Sequence, residues 1–190
     1  MRKDELAFVR AGTVYEDPTS GERTEVMASP LDTVDRYRVR LTIAPASRPE
    51  RHRHPTLTEA FVVRDGEVRL RVGREVSVLY RDDRHVVPAG ATHAVWNPAD
   101  RPAVLDVDIV LGPEGGWPTA DIVRFGAAYV DLVTARGRAS PLHLALLLDE
   151  FPDAYVLPGP VGIQRLIIAG LAGLARRRGL AGPTTSRGGP

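Results

Sequence analysis

Two histidines separated by a single residue are the first feature whose spacing points to chemistry. His52 and His54 follow a stretch of alternating polar and apolar residues. In an extended segment, residues i and i+2 point to the same side, so both imidazoles share one face. Glu59 begins the next strand-like run and shares its inward face with Phe61 and Val63. An inward carboxylate needs a partner, and a cation held by neutral imidazoles would supply one.

A third histidine follows the turn Pro88-Ala89-Gly90, and alternation places His93 inward together with Val95. Imidazole and carboxylate ligands together suit iron, manganese, zinc, nickel or copper. The chain has no cysteine, which excludes thiolate sites, disulfides and a cysteine nucleophile. The sequence therefore predicts one divalent metal ion, with Fe(II) as the first choice. The predicted ligands are His52, His54, Glu59 and His93.

These residues resemble the two motifs of the cupin superfamily. The first motif is His-x-His, three or four residues, Glu, six residues and Gly, and it is matched by His52, His54, Glu59 and Gly66. The second contains Pro-x-Gly-x-x-His-x-x-x-Asn, and it is matched by Pro88, Gly90, His93 and Asn97. The resemblance covers about residues 31 to 112. It departs from the family at Ala46 and Asp82, where the family has glycines, and these departures bear on turns rather than on ligands.

The rest of the chain predicts a mainly β architecture with a helical extension. Period-two alternation recurs at 36–43, at 67–72, at Val76, Val78 and Tyr80, and around 104–111, which indicates strands with one buried face. We expect an antiparallel β-barrel or jelly roll over residues 31–112, after an N-terminal arm or strand over 1–30. The segment 113–181 is expected to be helical, and the tail 182–190 is expected to be disordered.

Within the predicted extension, Ile122, Phe125, Tyr129, Leu132 and Val133 fall on one helical face, in a helix capped by Thr119 and ended by Gly137. A second helix should begin at Ser140-Pro141 and stop before Pro152. A third should run from Pro160 to Arg178 and pack on the barrel or on a partner subunit, with a membrane-surface helix as the alternative. Its apolar run is too short to span a bilayer.

Composition limits the partners. Twenty-five basic residues nearly balance twenty-four acidic ones, so a net charge of +1 gives no field that would gather nucleic acid or an anionic membrane. The charged N-terminus is followed by no apolar run, which predicts a cytoplasmic protein. A homodimer is expected, because the segment 14–27 lacks a clear buried face of its own.

Three histidines and a glutamate leave two positions open on a six-coordinate metal, as binding of dioxygen or a bidentate substrate requires. The substrate is expected to be a small molecule with oxygen donors, such as an enol, a catechol, a β-dicarbonyl or a carboxylate. A dioxygenase-like reaction is the first hypothesis, with Glu59 as a possible base; the alternatives are an isomerase or cyclase, a non-catalytic binding module, and a metal-free barrel whose histidines only satisfy hydrogen bonds. The predicted pocket walls are Tyr37, Val39, Leu41, Phe61, Val63, Leu70 and Val95.

Overall fold

The computed structural model describes residues 10–17, 20–29, 37–110 and 140–182, together with seven helical positions between 122 and 132. Nine strands lie in these residues: β1 Val14–Glu16, β2 Arg23–Ala28, β3 Tyr37–Ile43, β4 Thr58–Asp65, β5 Val68–Val72, β6 Glu75–Leu79, β7 Arg84–Val87, β8 His93–Trp96 and β9 Ala103–Val110. They form a six-stranded sheet in the order β1-β2-β3-β9-β4-β7 and a three-stranded sheet in the order β6-β5-β8. Every pairing is antiparallel. The predicted jelly-roll fold is confirmed.

One hydrophobic core joins the two sheets. Alternation in β3 sends Tyr37, Val39 and Ile43 into this core, where they meet Val68 and Leu70 of the small sheet. The prediction of an inward face is confirmed for these residues. The strands β1 and β2, which precede residue 31, also belong to the fold, because they extend the large sheet beyond β3.

The predicted buried face of β6 is wrong. Val76, Val78 and Tyr80 are exposed, whereas Leu79 is buried. The pairing with β5 decides this, since Leu79 lies opposite Val68 and directly paired residues share a face. β6 is an edge strand, so its sequence alternation alone did not tell which set of side chains would meet the core.

Ion pairs cross the outer face of the large sheet. Arg38 on β3 makes two hydrogen bonds of 2.6 Å to Asp108 on β9. Asp106 is buried and accepts hydrogen bonds from Arg40 at 2.7 Å and from Arg64 at 2.7 Å. Burial raises the pKa of Asp106, but the two arginines outweigh it and hold the pKa below its usual value. The charged positions of the alternating strands therefore tie β3, β9 and β4 together on the side away from the core.

Three turns near the motif positions adopt left-handed backbone conformations. Gly66 has φ +75°, and a Cβ there would lie 3.2 Å from the backbone of Ala103 and of Pro102. Both the backbone conformation and the lack of space therefore favour glycine at this position. Ala46 and Asp82, at φ 50° and 70°, are the non-glycine residues with positive φ in the described part of the chain. They are also the two positions where the cupin pattern has glycine. The turns at Ala46 and Asp82 thus keep a left-handed conformation without glycine, and each conformation destabilises the fold by about 1 kcal/mol.

Beyond the helical positions between 122 and 132, two helices follow whose bounds the structure describes. α1 spans Pro141–Glu150 and is capped by Ser140, and α2 spans Val161–Arg177 and ends before Gly179. They pack against each other through Leu146 of α1 and two alanines of α2, Ala172 and Ala175. These helices confirm the predicted ones. Phe125 and Tyr129 are helical as predicted, whereas Thr119, Val133, Gly137 and residues 183–190 lie outside the described residues.

In the described part of the chain, no helix is long and apolar enough to cross a membrane.

Candidate metal centre

The four predicted ligands converge on one point between the two sheets. One donor atom from each of His52, His54, Glu59 and His93 lies within 4.8 Å of the other three. Donors bound to one ion at about 2.0–2.2 Å are separated by at most about 4.4 Å, so a movement of a few tenths of an ångström would close the site around a metal. The donor set is therefore compact enough for a single ion.

Backbone pairing brings the ligands together. His52 and His93 form an antiparallel bridge, with hydrogen bonds of 3.0 Å from His52 N to His93 O and 2.8 Å in the reverse direction. Glu59 comes from the large sheet, where it lies opposite Ile109 on β9 and Val87 on β7. His93 begins β8 of the small sheet, so closing the barrel is what assembles the cluster.

All three imidazoles have their Nδ1 atoms at backbone carbonyls. Nδ1 of His52 lies 3.1 Å from Glu50 O, that of His54 2.5 Å from Ala154 O, and that of His93 3.1 Å from Ala91 O. A carbonyl oxygen can only accept, so each Nδ1 carries the hydrogen. In the neutral ring the Nε2 lone pair then remains free for a metal, and this arrangement of outer hydrogen bonds is typical of metal-binding histidines.

Glu59 is the residue whose surroundings most favour a cation at this cluster. Its Oε2 is buried and has no hydrogen-bond partner among the described residues. His54 Nε2 lies 3.6 Å away and His93 Nε2 lies 2.8 Å away. Burial raises the pKa of Glu59, but the contact with His93 and the other imidazoles outweigh it and lower the pKa below its usual value. Glu59 is therefore an ionised carboxylate that lacks a full partner, which a divalent ion would provide.

The histidines differ in their tendency to take a proton. Burial and the neighbouring His93 and His54 lower the pKa of His52 to about 3. Burial also lowers the pKa of His93, but the contact with Glu59 outweighs it, so the net shift is upward. His52 is thus neutral, the state in which an imidazole binds a metal.

The C-terminal extension supports the site, which the sequence reasoning missed. The segment after α1 pairs with the His-x-His segment through Arg53 and Val156, with hydrogen bonds of 2.9 and 3.0 Å. Ala154 supplies the carbonyl at His54. The ring of Tyr155 stacks on that of His52, with the ring centroids 4.5 Å apart and an angle of 15° between the ring planes. The leucine-rich sequence of α1 signalled a helix, and no local pattern linked the following loop to residues 100 positions earlier.

Tyr155 belongs to a tyrosine–carboxylate cluster that we define as Asp17, Glu22, Glu50, Tyr129 and Tyr155. Tyr129 donates a hydrogen bond of 3.1 Å to Asp17. Burial, and then Asp17 and Glu50, raise the pKa of Glu22 to about 7. Burial, followed by Glu50, raises the pKa of the Tyr155 hydroxyl. The surroundings of His52 on this side are polar and acidic.

The predicted pocket walls lie in or against the core. Five of them are buried in it: Tyr37, Val39, Phe61, Val63 and Leu70. Leu41 and Val95 are only partly buried and pack against it. Phe61 lies next to the candidate metal centre, with its ring centroid 6.2 Å from that of His93. The contact of these seven residues with a substrate stays a prediction.

Part of the chain matches a known family. The family model described as "Cupin domain" matches residues 39–110. The curated relatives include mannose-1-phosphate guanylyltransferase ManC of Salmonella typhimurium, 31% identical over 101 residues, and the mannose-1-phosphate guanylyltransferase of Escherichia coli, 29% identical over 101 residues. Each alignment covers 52% of this chain and 20% of the relative. This chain therefore spans about a fifth of the length of the curated relatives that it matches.

Solved structures with a similar backbone include a predicted oxalate decarboxylase from Thermotoga maritima and KdgF from a Halomonas species. The first is 17% identical, with a TM-score of 0.45 over 48% of this chain and 81% of that chain. The second is 18% identical, with a TM-score of 0.45 over 53% of this chain and 90% of that chain.

Proposed function

The chain belongs to the cupin superfamily through residues 39–110, and from this premise we propose that it holds one divalent metal ion on His52, His54, Glu59 and His93 and uses it to act on a small oxygen-bearing molecule. The observation that carries the proposal is the buried Oε2 of Glu59, which has no hydrogen-bond partner in the described part of the chain and faces imidazole nitrogens. Fe(II) is the first choice, with Mn, Zn, Ni or Cu as alternatives.

A bound divalent ion would supply Lewis acidity and, if it is Fe(II), a site for reaction with dioxygen. The chain's own residues do the rest. The carbonyls of Glu50, Ala154 and Ala91 fix the orientation of the three imidazoles. Glu59 contributes a negative charge and, as a hypothesis, a base for the substrate's acidic proton. Its lowered pKa favours the ligand role over the role of base.

The tyrosine–carboxylate cluster bears on the substrate. Asp17 and Glu50 concentrate negative charge on the side of the centre where Tyr155 stacks on His52, and they help to raise the pKa of Glu22 to about 7, so that this carboxyl is partly protonated at neutral pH. A carboxylate substrate approaching from this side would be repelled, whereas a neutral enol or catechol would find hydroxyl and carboxylate hydrogen-bond partners. We therefore favour a neutral chelating enol, catechol or β-dicarbonyl, and a dioxygenase-like reaction.

The test begins with metal analysis of untagged protein, followed by anaerobic loading with Fe(II) and oxygen-uptake assays on catechols and β-dicarbonyls. The proposal expects stoichiometric metal and oxygen consumption coupled to substrate loss. The His93→Ala variant should lose both the metal and the turnover.

Other outcomes separate the alternatives. Substrate conversion without oxygen consumption would reject dioxygenation in favour of an isomerase or cyclase. Tight ligand binding without any product would indicate a binding module. Purified protein that takes up no divalent metal at all would overturn the proposal as a whole.

A further inference from the structure

Helix α2 carries its largest apolar side chains on the face that is turned away from the rest of the protein. Ala172 and Ala175 are buried against α1. Five large residues on the other side are exposed, between 37% and 76%: Ile163, Leu166, Ile167, Leu171 and Leu174. Together they leave on the order of 500 Å² of apolar surface, which is at the upper end of what a monomer exposes in one patch. We call these five residues and Gly170 the α2 stripe.

The spacing of the α2 stripe is the same when read from either end. Positions 163, 166, 167, 170, 171 and 174 follow one another at intervals of three, one, three, one and three residues. Two such helices placed antiparallel about a twofold axis would bring Ile163 opposite Leu174, Leu166 opposite Leu171, and Ile167 opposite Gly170. A twofold interface requires this self-complementarity, because each contact must occur twice.

Gly170 adds a close-contact point near the centre of the stripe. A Cβ at this position would meet nothing within 4 Å, so the space above the backbone is open to a neighbour. The side chain of Ile167 from a second copy would fill that space in the antiparallel arrangement. Closely spaced helix axes and interlocking side chains are what give a helix pair its packing energy.

The charges on α2 favour a protein partner over a lipid surface. Arg165 pairs with Asp153 at 2.9 Å, and Arg176 pairs with Asp149 at 2.6 Å. Helices that lie on membranes present unpaired basic residues to anionic lipids. Here, two of the basic residues on the helix are already paired within the chain.

We propose that the α2 stripe is the contact surface of a twofold homodimer in which α2 packs antiparallel against α2 of a second copy. The two stripes would bury about 1,000 Å² in total, which reaches the lower limit for a specific interface. Contacts at its edge would add to this area.

The first test is the solution mass of the full chain by light scattering or sedimentation. The wild type should be a dimer at micromolar concentration, and Leu166→Glu should be a monomer with an unchanged circular dichroism spectrum, because Leu166 is 76% exposed and packs little in the monomer. Val76→Glu is the matched control on the exposed face of β6, where Val76 is 42% exposed, and it should remain a dimer. A monomeric wild type, or a Leu166→Glu variant that stays dimeric, would overturn the proposal.

A crosslinking test checks the orientation, and the absence of cysteine from the chain gives it a clean background. Ile163→Cys mixed with Leu174→Cys should form a disulfide-linked heterodimer on mild oxidation. Neither variant should crosslink to itself, since residues 163 of the two copies would lie about 16 Å apart along the helices. Crosslinking of Ile163→Cys with itself would instead indicate a parallel pair and overturn the arrangement. Binding of a monomeric wild type to anionic vesicles would assign the stripe to a membrane and likewise overturn it.

Discussion

Replacing Glu59 by glutamine should separate the metal-binding role of this side chain from its role in the fold. The substitution keeps the shape and removes the charge of a carboxylate whose Oε2 is buried next to the Nε2 atoms of His54 and His93. In the metal-free protein the loss of stability should be small, because the cost of burying the charge offsets much of its favourable contact with the imidazoles. With metal present, the variant loses an anionic ligand and therefore most of the metal-dependent stabilisation.

The magnitude follows from linkage. A ligand at about 100 times its Kd stabilises the folded state by about 2.7 kcal/mol. For a chain of 190 residues this corresponds to a rise in Tm of roughly 5–10 °C. The wild type should show this rise with at least one of the divalent ions Mn, Fe, Co, Ni, Cu or Zn, and Glu59→Gln should show less than a third of it.

The assay is thermal unfolding with and without a chelator, on dialysed protein with each metal in turn. Glu75→Gln, an exposed position on β6, is the matched control and should behave as the wild type. An equal rise in Tm for the wild type and for Glu59→Gln would refute the assignment of Glu59 as a ligand. A Glu59→Gln variant that is unfolded without metal would refute the statement that its charge contributes little to the fold.

Three further predictions test the surroundings of the centre and the frame that holds it. Tyr155→Ala should weaken metal affinity by roughly two- to twelvefold in a chelator competition assay, because stacking on His52 contributes about 0.5–1.5 kcal/mol. Tyr155→Phe keeps the ring and should bind the metal as the wild type does, so equal losses in the two variants would contradict the stacking argument. Gly66→Ala should lower the free energy of unfolding by at least 1 kcal/mol more than Gly73→Ala. Both glycines have positive φ, but only at Gly66 would the added Cβ come close to other atoms. Equal losses in denaturant titrations would rule out a steric contribution at Gly66. Asp106→Asn should lower the free energy of unfolding by about 1–2 kcal/mol at neutral pH. The loss is no larger because the partners Arg40 and Arg64 are partly exposed, so that solvent screens their attraction to Asp106. Because the folded pKa of Asp106 is lowered, this contribution is complete above its ordinary pKa and is lost as pH falls through the folded value, so the two proteins should converge in strong acid; a constant difference down to that pH would contradict it.

The sequence by itself determined which four side chains form the candidate metal cluster and the type of fold. The alternation in β3 and β5 reports burial directly, because each of these strands has one face against the core. Glu59 and His93 could be recognised for the same reason, because they lie on inward positions of β4 and β8. His52 and His54 lie outside the strands and were recognised by their spacing. The start of α1 and the end of α2 could also be predicted from the sequence, because Ser140, Pro141 and Gly179 act through local backbone geometry.

Other features depended on contacts between distant parts of the chain, and only the tertiary structure decided them. The buried set of side chains in β6 is chosen by its pairing with β5, so alternation alone predicted the wrong set. The carbonyl of Ala154 and the ring of Tyr155 reach the centre because Val156 pairs with Arg53, a pairing between segments that share no local pattern. Periodicity records which side of an element is apolar, but the element that covers that side is set by the chain's closure into a barrel. For this reason the four candidate ligands could be named from the sequence, while the residues that hold and surround them could not.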